Sequence, residues 1–194
     1  MKKKGGNQMD YSLETRHIKL RPLTSNNAAT LFKWRNDQQF LQNCSHRRSA
    51  TNCNEFVAEL KRDFERDRHL QFMIERKFDG EPIGTIYSYD YKRVDGYAFI
   101  TTFIADGFRK RGYGAEADAL FLMYLFEKFK LFKIYMEMYE YNREAISAAL
   151  RGGFIEEGKF KKQRLFNGAR YDVIRYALFR ENIPRISEFL NKLK

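Results

Sequence analysis

Three cations and two glycines, in Arg109-Lys110-Arg111-Gly112-Tyr113-Gly114, stand directly before a run of helix formers and directly after a run of β-branched and aromatic residues. A strand ending at Ala105, a basic glycine loop and a helix starting near Gly112 would leave backbone N–H groups with no intrahelical partner. Gly112 and Gly114 have no Cβ to hold an anion away from the backbone. The helix dipole and the charges of Arg109, Lys110 and Arg111 favour a phosphate there. The order of residues is neither the Gly-x-x-x-x-Gly-Lys-Ser/Thr loop nor a Gly-x-Gly-x-x-Gly loop in a βαβ unit. The phosphate would therefore belong to another kind of ligand, or the loop is a solvated turn.

The elements that must position this junction follow from hydrophobic period. Ile18 and Leu20 alternate with charge and stop at Pro22, which predicts a first strand over 17–23. Ser25 is placed to cap a helix through Leu31, Trp34 and Arg35. The polar, basic stretch 42–52 reads as a loop, and Thr51 or Asn54 as the start of a second helix carrying Phe56, Leu60 and Phe64. From residue 70 the period becomes two: strands over 69–76 and 83–91 flank a turn at Asp79-Gly80, and 96–105 is a third arm. An amphipathic helix from Gly114, a strand over 132–141, a helix over 142–152 and a last hairpin turning at Asn167-Gly168 complete the pattern. Strands bracketing helices in one unbroken run predict one domain, α/β in the α+β sense, with a single mixed sheet covered by helices.

Composition narrows the partners. With 36 Lys and Arg against 25 Asp and Glu, the formal charge is +11, which favours an anionic partner: nucleic acid, a membrane surface or a phosphorylated small molecule. Cys44 and Cys53 lack C-x-x-C spacing and no His pair stands at ligand spacing, so neither a disulfide scaffold nor a metal site is expected. With no secretory signal and no apolar run near the roughly 20 residues of a membrane span, a cytoplasmic protein is expected, with no membrane partner.

The junction resembles the Arg/Gln-x-x-Gly-x-Gly/Ala signature of the GNAT family of N-acetyltransferases, whose backbone amides hold the pyrophosphate of acetyl-coenzyme A. The stretch 142–154, with Asn142, Ala145 and Gly153-Phe154, resembles the family's next element, and the similarity extends from about residue 13 to 180. It is closest to the RimJ/RimL-like branch of ribosomal-protein and spermidine acetyltransferases. The resemblance implies a mixed, mostly antiparallel sheet of about seven strands with about four helices, and a splayed strand pair that holds the cofactor. With the charged, glycine-rich start read as a flexible tail over 1–12 and Asn182-Ile183-Pro184 as the start of a helical extension over 183–194, the acetyltransferase domain is expected over 13–182. The cofactor-binding residues that the resemblance implies are Phe103, Ile104 and Ala105 beside the pantetheine arm, Arg109 to Ala115 at the pyrophosphate, Asn142 on the far wall and Arg151 toward the nucleotide.

Two family groups are missing. The Tyr that many relatives carry seven residues after the Asn, as the acid for the leaving thiolate, is Ala149 here, and the branch's strand Glu, used as base, is Phe99. Alternation in the strand 132–141 puts Ile134, Met136 and Met138 on one face and Tyr135, Glu137, Tyr139 and Tyr141 on the other. Glu137 is then a candidate base and Tyr139 a candidate acid, or they are an exposed sheet-face Glu and a packing Tyr. For the acceptor, Arg35 and Asn36 in the Trp-Arg-Asn segment, His46, Tyr87, Tyr89 and Phe99 are candidates. Relatives with a similar segment suggest a nucleotide-linked amino sugar, and the branch suggests a protein N-terminus. The charge of +11 ranks these anionic or peptide acceptors above a polyamine. A coenzyme A sensor without activity and a nucleic-acid-binding protein remain as other expectations, and the chain is expected to be a monomer or homodimer.

Overall fold

The structure, a computed structural model, describes residues 13–44, 52–65 and 70–194. The lysine-rich start, His46 and His69 lie outside the described residues. Ile18 and Leu20 point the same way from β1 (Ile18–Pro22) and are buried, as their alternation requires. A short 3-10 turn, Ser25–Asn27, leads into α1 (Ala28–Arg35). Thr24, not Ser25, closes that start. Its backbone is extended, its amide donates to Asn27 Oδ1 at 2.8 Å and its carbonyl accepts from the Asn27 amide at 3.0 Å.

The start of the presumed loop is helical. α2 (Gln38–Asn43) is capped by Asp37, whose carboxylate accepts from Gln39 N at 2.9 Å and Phe40 N at 3.1 Å. Six residues are too few to show an apolar period, so only the cap betrays the helix in sequence. α3 (Cys53–Glu65) begins at Asn52, whose Oδ1 accepts from Asn54 N at 2.8 Å.

The remaining elements are β2 (Leu70–Arg76), β3 (Pro82–Lys92), β4 (Tyr97–Ile104), α4 (Tyr113–Lys128), β5 (Lys133–Tyr139), α5 (Arg143–Gly152), β6 (Ile155–Phe166), β7 (Ala169–Phe179) and α6 (Ile183–Asn191). Asn167 and Gly168, at φ 48° and 79°, make the tight hairpin turn between β6 and β7, a conformation glycine adopts without strain. The described residues form six α-helices: four as expected in the domain, α6 where the terminal helical extension was expected, and the short α2, which was not.

Seven strands form one sheet in the order β1-β2-β3-β4-β5-β7-β6. Every neighbouring pair is antiparallel except β4 and β5. On one face α4 packs Ala117, Leu120, Phe121 and Leu125 against Ile74, Ile100, Ile134 and Met136, and α6 adds Ile186. The other face carries Met73 and Phe103 beneath Leu31, Trp34, Phe40 and Phe56 of α1 to α3. Farther along, Phe99, Tyr135 and Ala177 form a separate cluster.

The parallel pair sets the site. β4 and β5 are in register only at Tyr97↔Lys133, Ala98↔Ile134 and Phe99↔Tyr135. Beyond Phe99, β4 keeps β3 as its neighbour and β5 keeps β7, so the strands separate and the sheet opens at its centre.

Candidate active site

The loop after β4 has the backbone geometry expected of an anion cradle. Gly112 is the N-cap of α4 at φ 87°, a left-handed conformation that costs an L side chain about 1 kcal/mol and glycine little. A Cβ there would meet no atom within 4 Å, so the residue faces open space. The Glu116 amide is satisfied by Gly112 O at 3.1 Å, while the amides ahead of it in the first turn precede the intrahelical ladder. The acid in that turn does not oppose an anion. Glu116 is 4% exposed and turned away, its Oε2 accepting from Thr15 Oγ1 at 2.5 Å and its Oε1 lying 2.8 Å from His17 Nδ1.

The cations of the loop are used unequally. Arg109 is braced within the protein: Nε donates to Ile104 O at 2.8 Å, Asp106 and Asp37 lie 3.5 and 3.7 Å from its terminal nitrogens, and the group sits over the Phe103 ring. It ties the end of β4 to the α1–α2 junction. Lys110 is largely exposed, 4.0 Å from Glu144, and Arg111 is exposed and does not line the cleft.

Between β4 and β5 lies a cleft of about 1000 Å³. Ile104, Arg109, Lys110, Gly112, Tyr113, Gly114, Ala115, Asn142 and Arg151, expected at the cofactor, all line it from the loop, α4 and α5. Arg151 donates to Ser147 Oγ at 2.6 Å, and its carbonyl accepts from Arg185 at 2.6 Å. Two of the residues expected beside the pantetheine arm, where strand-end backbone groups were to meet it, point their side chains to the other face of the sheet. Phe103 is buried under Trp34 and Phe40, and Ala105 packs on the same cluster, because odd positions of β4 face α1 to α3 while Ile104 faces the other way. Ala149 also lines the cleft, so the position of the missing family tyrosine is open to it.

The wall expected to receive the acceptor includes Arg35, Tyr87, Tyr89, Glu137 and Tyr139, together with Glu59, Asp63 and Asp90. Glu137 Oε1 accepts twice from Arg175, at 2.6 and 3.0 Å, as the register that opposes the two residues on β5 and β7 dictates. Burial pushes the Tyr139 hydroxyl up to about 12, partly offset by the Arg164 guanidinium over its ring. Burial also raises Tyr87 and Tyr89 well above the usual phenol range, so all three stay protonated. Phe99 does not reach the wall. It lies where β4 is still paired with β5 and stacks on Tyr89 and Tyr135. Asn36 is likewise displaced: it closes α1, its side-chain amide donating to Phe32 O at 3.2 Å.

Two polar pairs in the cleft had not been expected. Asp118 on α4 accepts a hydrogen bond from Thr102 on the unpaired part of β4, and burial pushes its carboxyl up to about 6, with the Thr102 bond acting against the rise. Its place in the apolar helix pattern, four residues after Gly114, was the available signal. Gln71 on β2 and Thr85 on β3 form the second pair. No helix among the described residues is long and apolar enough to cross a membrane.

A parallel strand pair that separates beside a helix N-terminus leaves a cleft with free backbone amides at one end, which suits a phosphate-bearing ligand. Residues 17–155 match the acetyltransferase (GNAT) domain model, and the chain belongs to that family. Its RimJ/RimL-like branch is supported by its relatives, and the enzyme class is acyl-CoA-dependent N-acetyltransferase with acetyl-CoA as cofactor. An uncharacterised N-acetyltransferase derived from the SPbeta prophage of Bacillus subtilis is 28% identical over 134 residues, 69% of this chain and 73% of that one. Spermidine N(1)-acetyltransferase of Escherichia coli K12 is 27% identical over 117 residues, 58% of this chain and 63% of that one. The crystal structure of a Vibrio cholerae spermidine N-acetyltransferase, in complex with CoA and spermine, superposes with a TM-score of 0.81 at 19% identity, over 86% of this chain and 98% of that one.

Proposed function

We propose that this protein acetylates a primary amine that enters the cleft as an ammonium ion, on a small molecule or at a peptide N-terminus. The observation that carries this is the charge of the acceptor wall. Glu59, Asp63 and Asp90 line it against Arg35, which is buried and lies near the Phe40 ring, while Glu137 is matched by Arg175. A formal charge of +11 describes the whole surface, whereas an entering cation responds to the field within the cleft. This reverses the ranking that net charge suggested and favours a cationic amine over a nucleotide-linked amino sugar.

Acetyl-CoA, held by Gly112 to Ala115 and Asn142, supplies the thioester that the amine attacks. The chain must then position the amine, take a proton from it and return one to the leaving sulfur. Asp118, whose carboxyl is close to neutral in its proton affinity, is the better matched proton carrier, and Glu137, fixed by Arg175, serves as a stationary negative charge. Tyr139 remains a hydroxyl donor.

Thiol release from acetyl-CoA with a panel of amines tests this. Diamines and peptide N-termini are expected to exceed a nucleotide-linked amino sugar in kcat/KM by tenfold or more, and the opposite order would sink the proposed acceptor class. Ala149 and the Arg175 bond to Glu137 favour one other outcome, tight CoA binding with no thiol release on any amine, which would mark a CoA-binding protein that has lost transfer.

A further inference from the structure

Gln71 is 7% exposed, and its Nε2 donates to Thr85 Oγ1 at 2.8 Å. The Thr85 hydroxyl spends its single proton on the Phe72 carbonyl at 2.9 Å, so toward Gln71 it can only accept. The amide is thereby oriented: nitrogen faces Thr85, and Oε1 faces away from it. Among the described residues no group donates to that oxygen, and Gln71 lines the cleft. An unmet buried carbonyl oxygen is unfavourable, and a ligand bearing a donor would remove that cost.

The sheet register leads from the gap to this oxygen. Thr101 lies just beyond Phe99, the last β4 residue paired with β5, and is opposite Tyr87, which is opposite Gln71. All three line the cleft. They form one row across β4, β3 and β2, and two strand spacings put Gln71 about 10 Å from the β4 edge of the gap. The Tyr87 hydroxyl donates to Cys44 O at 3.1 Å, which leaves the Gln71 oxygen as the acceptor at the far end of the row.

We propose that Gln71 Oε1 is a specificity contact for the acceptor, receiving an N–H that the substrate carries about 10 Å from the nitrogen to be acetylated. This rests on the acetyl transfer proposed above and narrows its acceptor to amines with a second N–H. Two sources share that chemistry: the second amino group of a diamine, and a backbone amide about three residues along an extended peptide.

The test is equilibrium binding to the CoA-saturated protein. One arm compares 1,7-diaminoheptane with heptylamine, and the other compares an alanine tripeptide amide with ethylamine. The wild type is expected to bind at least one bifunctional probe about tenfold more tightly than its partner, and the arm that shows the preference identifies the source. Gln71→Met should abolish the preference while leaving CoA affinity and monoamine binding unchanged. Gln71→Glu, which keeps an acceptor oxygen, should retain it for the diamine, and Thr85→Val, which frees the amide to flip, should weaken it. No preference in the wild type, or a preference that survives Gln71→Met, overturns the proposal. Thiol release from the same wild-type samples reports separately on transfer. Release without any binding preference would leave transfer standing and remove the Gln71 contact. A Gln71-dependent preference without release would do the reverse.

Discussion

Asp118 is costly to the fold in its charged form. Burial raises its carboxyl from the ordinary 3.8 to about 6, so the folded protein binds that proton more tightly than the unfolded chain does. The stabilising effect of the protonated form is fully present below about pH 4 and is lost as pH rises through 6. Above that, the buried carboxylate costs up to about 3 kcal/mol, since tenfold in proton affinity is about 1.4 kcal/mol. Asp118→Asn, neutral throughout, is expected to raise Tm relative to wild type at pH 7.5 and to give no gain at pH 4. If Asp118 carries the proton, the same variant loses kcat by about a hundredfold or more. Thermal melts across pH together with thiol-release kinetics check both halves. A residue that stabilises when neutralised yet slows the reaction would be one kept for its chemistry.

At the level of elements, α4 connects cofactor and core. Its first turn is the expected cradle, its residue Asp118 lines the cleft, and its far side packs on α6 and β1. Ile186 of α6 is 5% exposed within that core, and the Leu193 carbonyl accepts from Arg16 N at 2.9 Å. The terminal helix thus holds α4 from behind. Ile186→Ala is expected to cost about 2–5 kcal/mol, measured by urea unfolding, while leaving CoA affinity within twofold in the folded fraction. A loss of CoA affinity with no loss of stability would show that α6 acts on the cradle in some other way.

For the molecule as a whole, the positive excess is a long-range property and the acidic acceptor wall a local one. Coenzyme A carries several negative charges, so an overall +11 steers its approach. Raising ionic strength from 0.05 to 0.5 M is expected to slow CoA association several-fold while changing dissociation less than twofold, which stopped-flow binding can separate. Ammonium acceptors should show the opposite sign in association, since the bulk charge repels them until they reach the cleft.

Much of this was legible in the chain because local physics imposed it. The alternation Ile134, Met136, Met138 against Tyr135, Glu137, Tyr139 gave the faces of β5 correctly, since a strand has a fixed period of two. The glycines and cations of 109–114 marked a helix start with an open face, since only backbone geometry is required there. Asn167-Gly168 marked its own turn. What the sequence could not contain was which side chains oppose one another across strands. Arg175 meets Glu137, and Phe99 is withdrawn onto Tyr135, because of registers among strands distant in sequence. Arg109 donates to Ile104 O and lies near Asp37 because the loop returns to the end of β4. Gln71, Thr85, Thr102 and Asp118 are ordinary residues in ordinary elements, and only the opening of the β4–β5 pair gives them a cleft to face. Period and backbone preference act over a few residues and were fixed by the chain itself, whereas burial, pairing and the choice of which polar atom is left unmet arise only when distant elements pack.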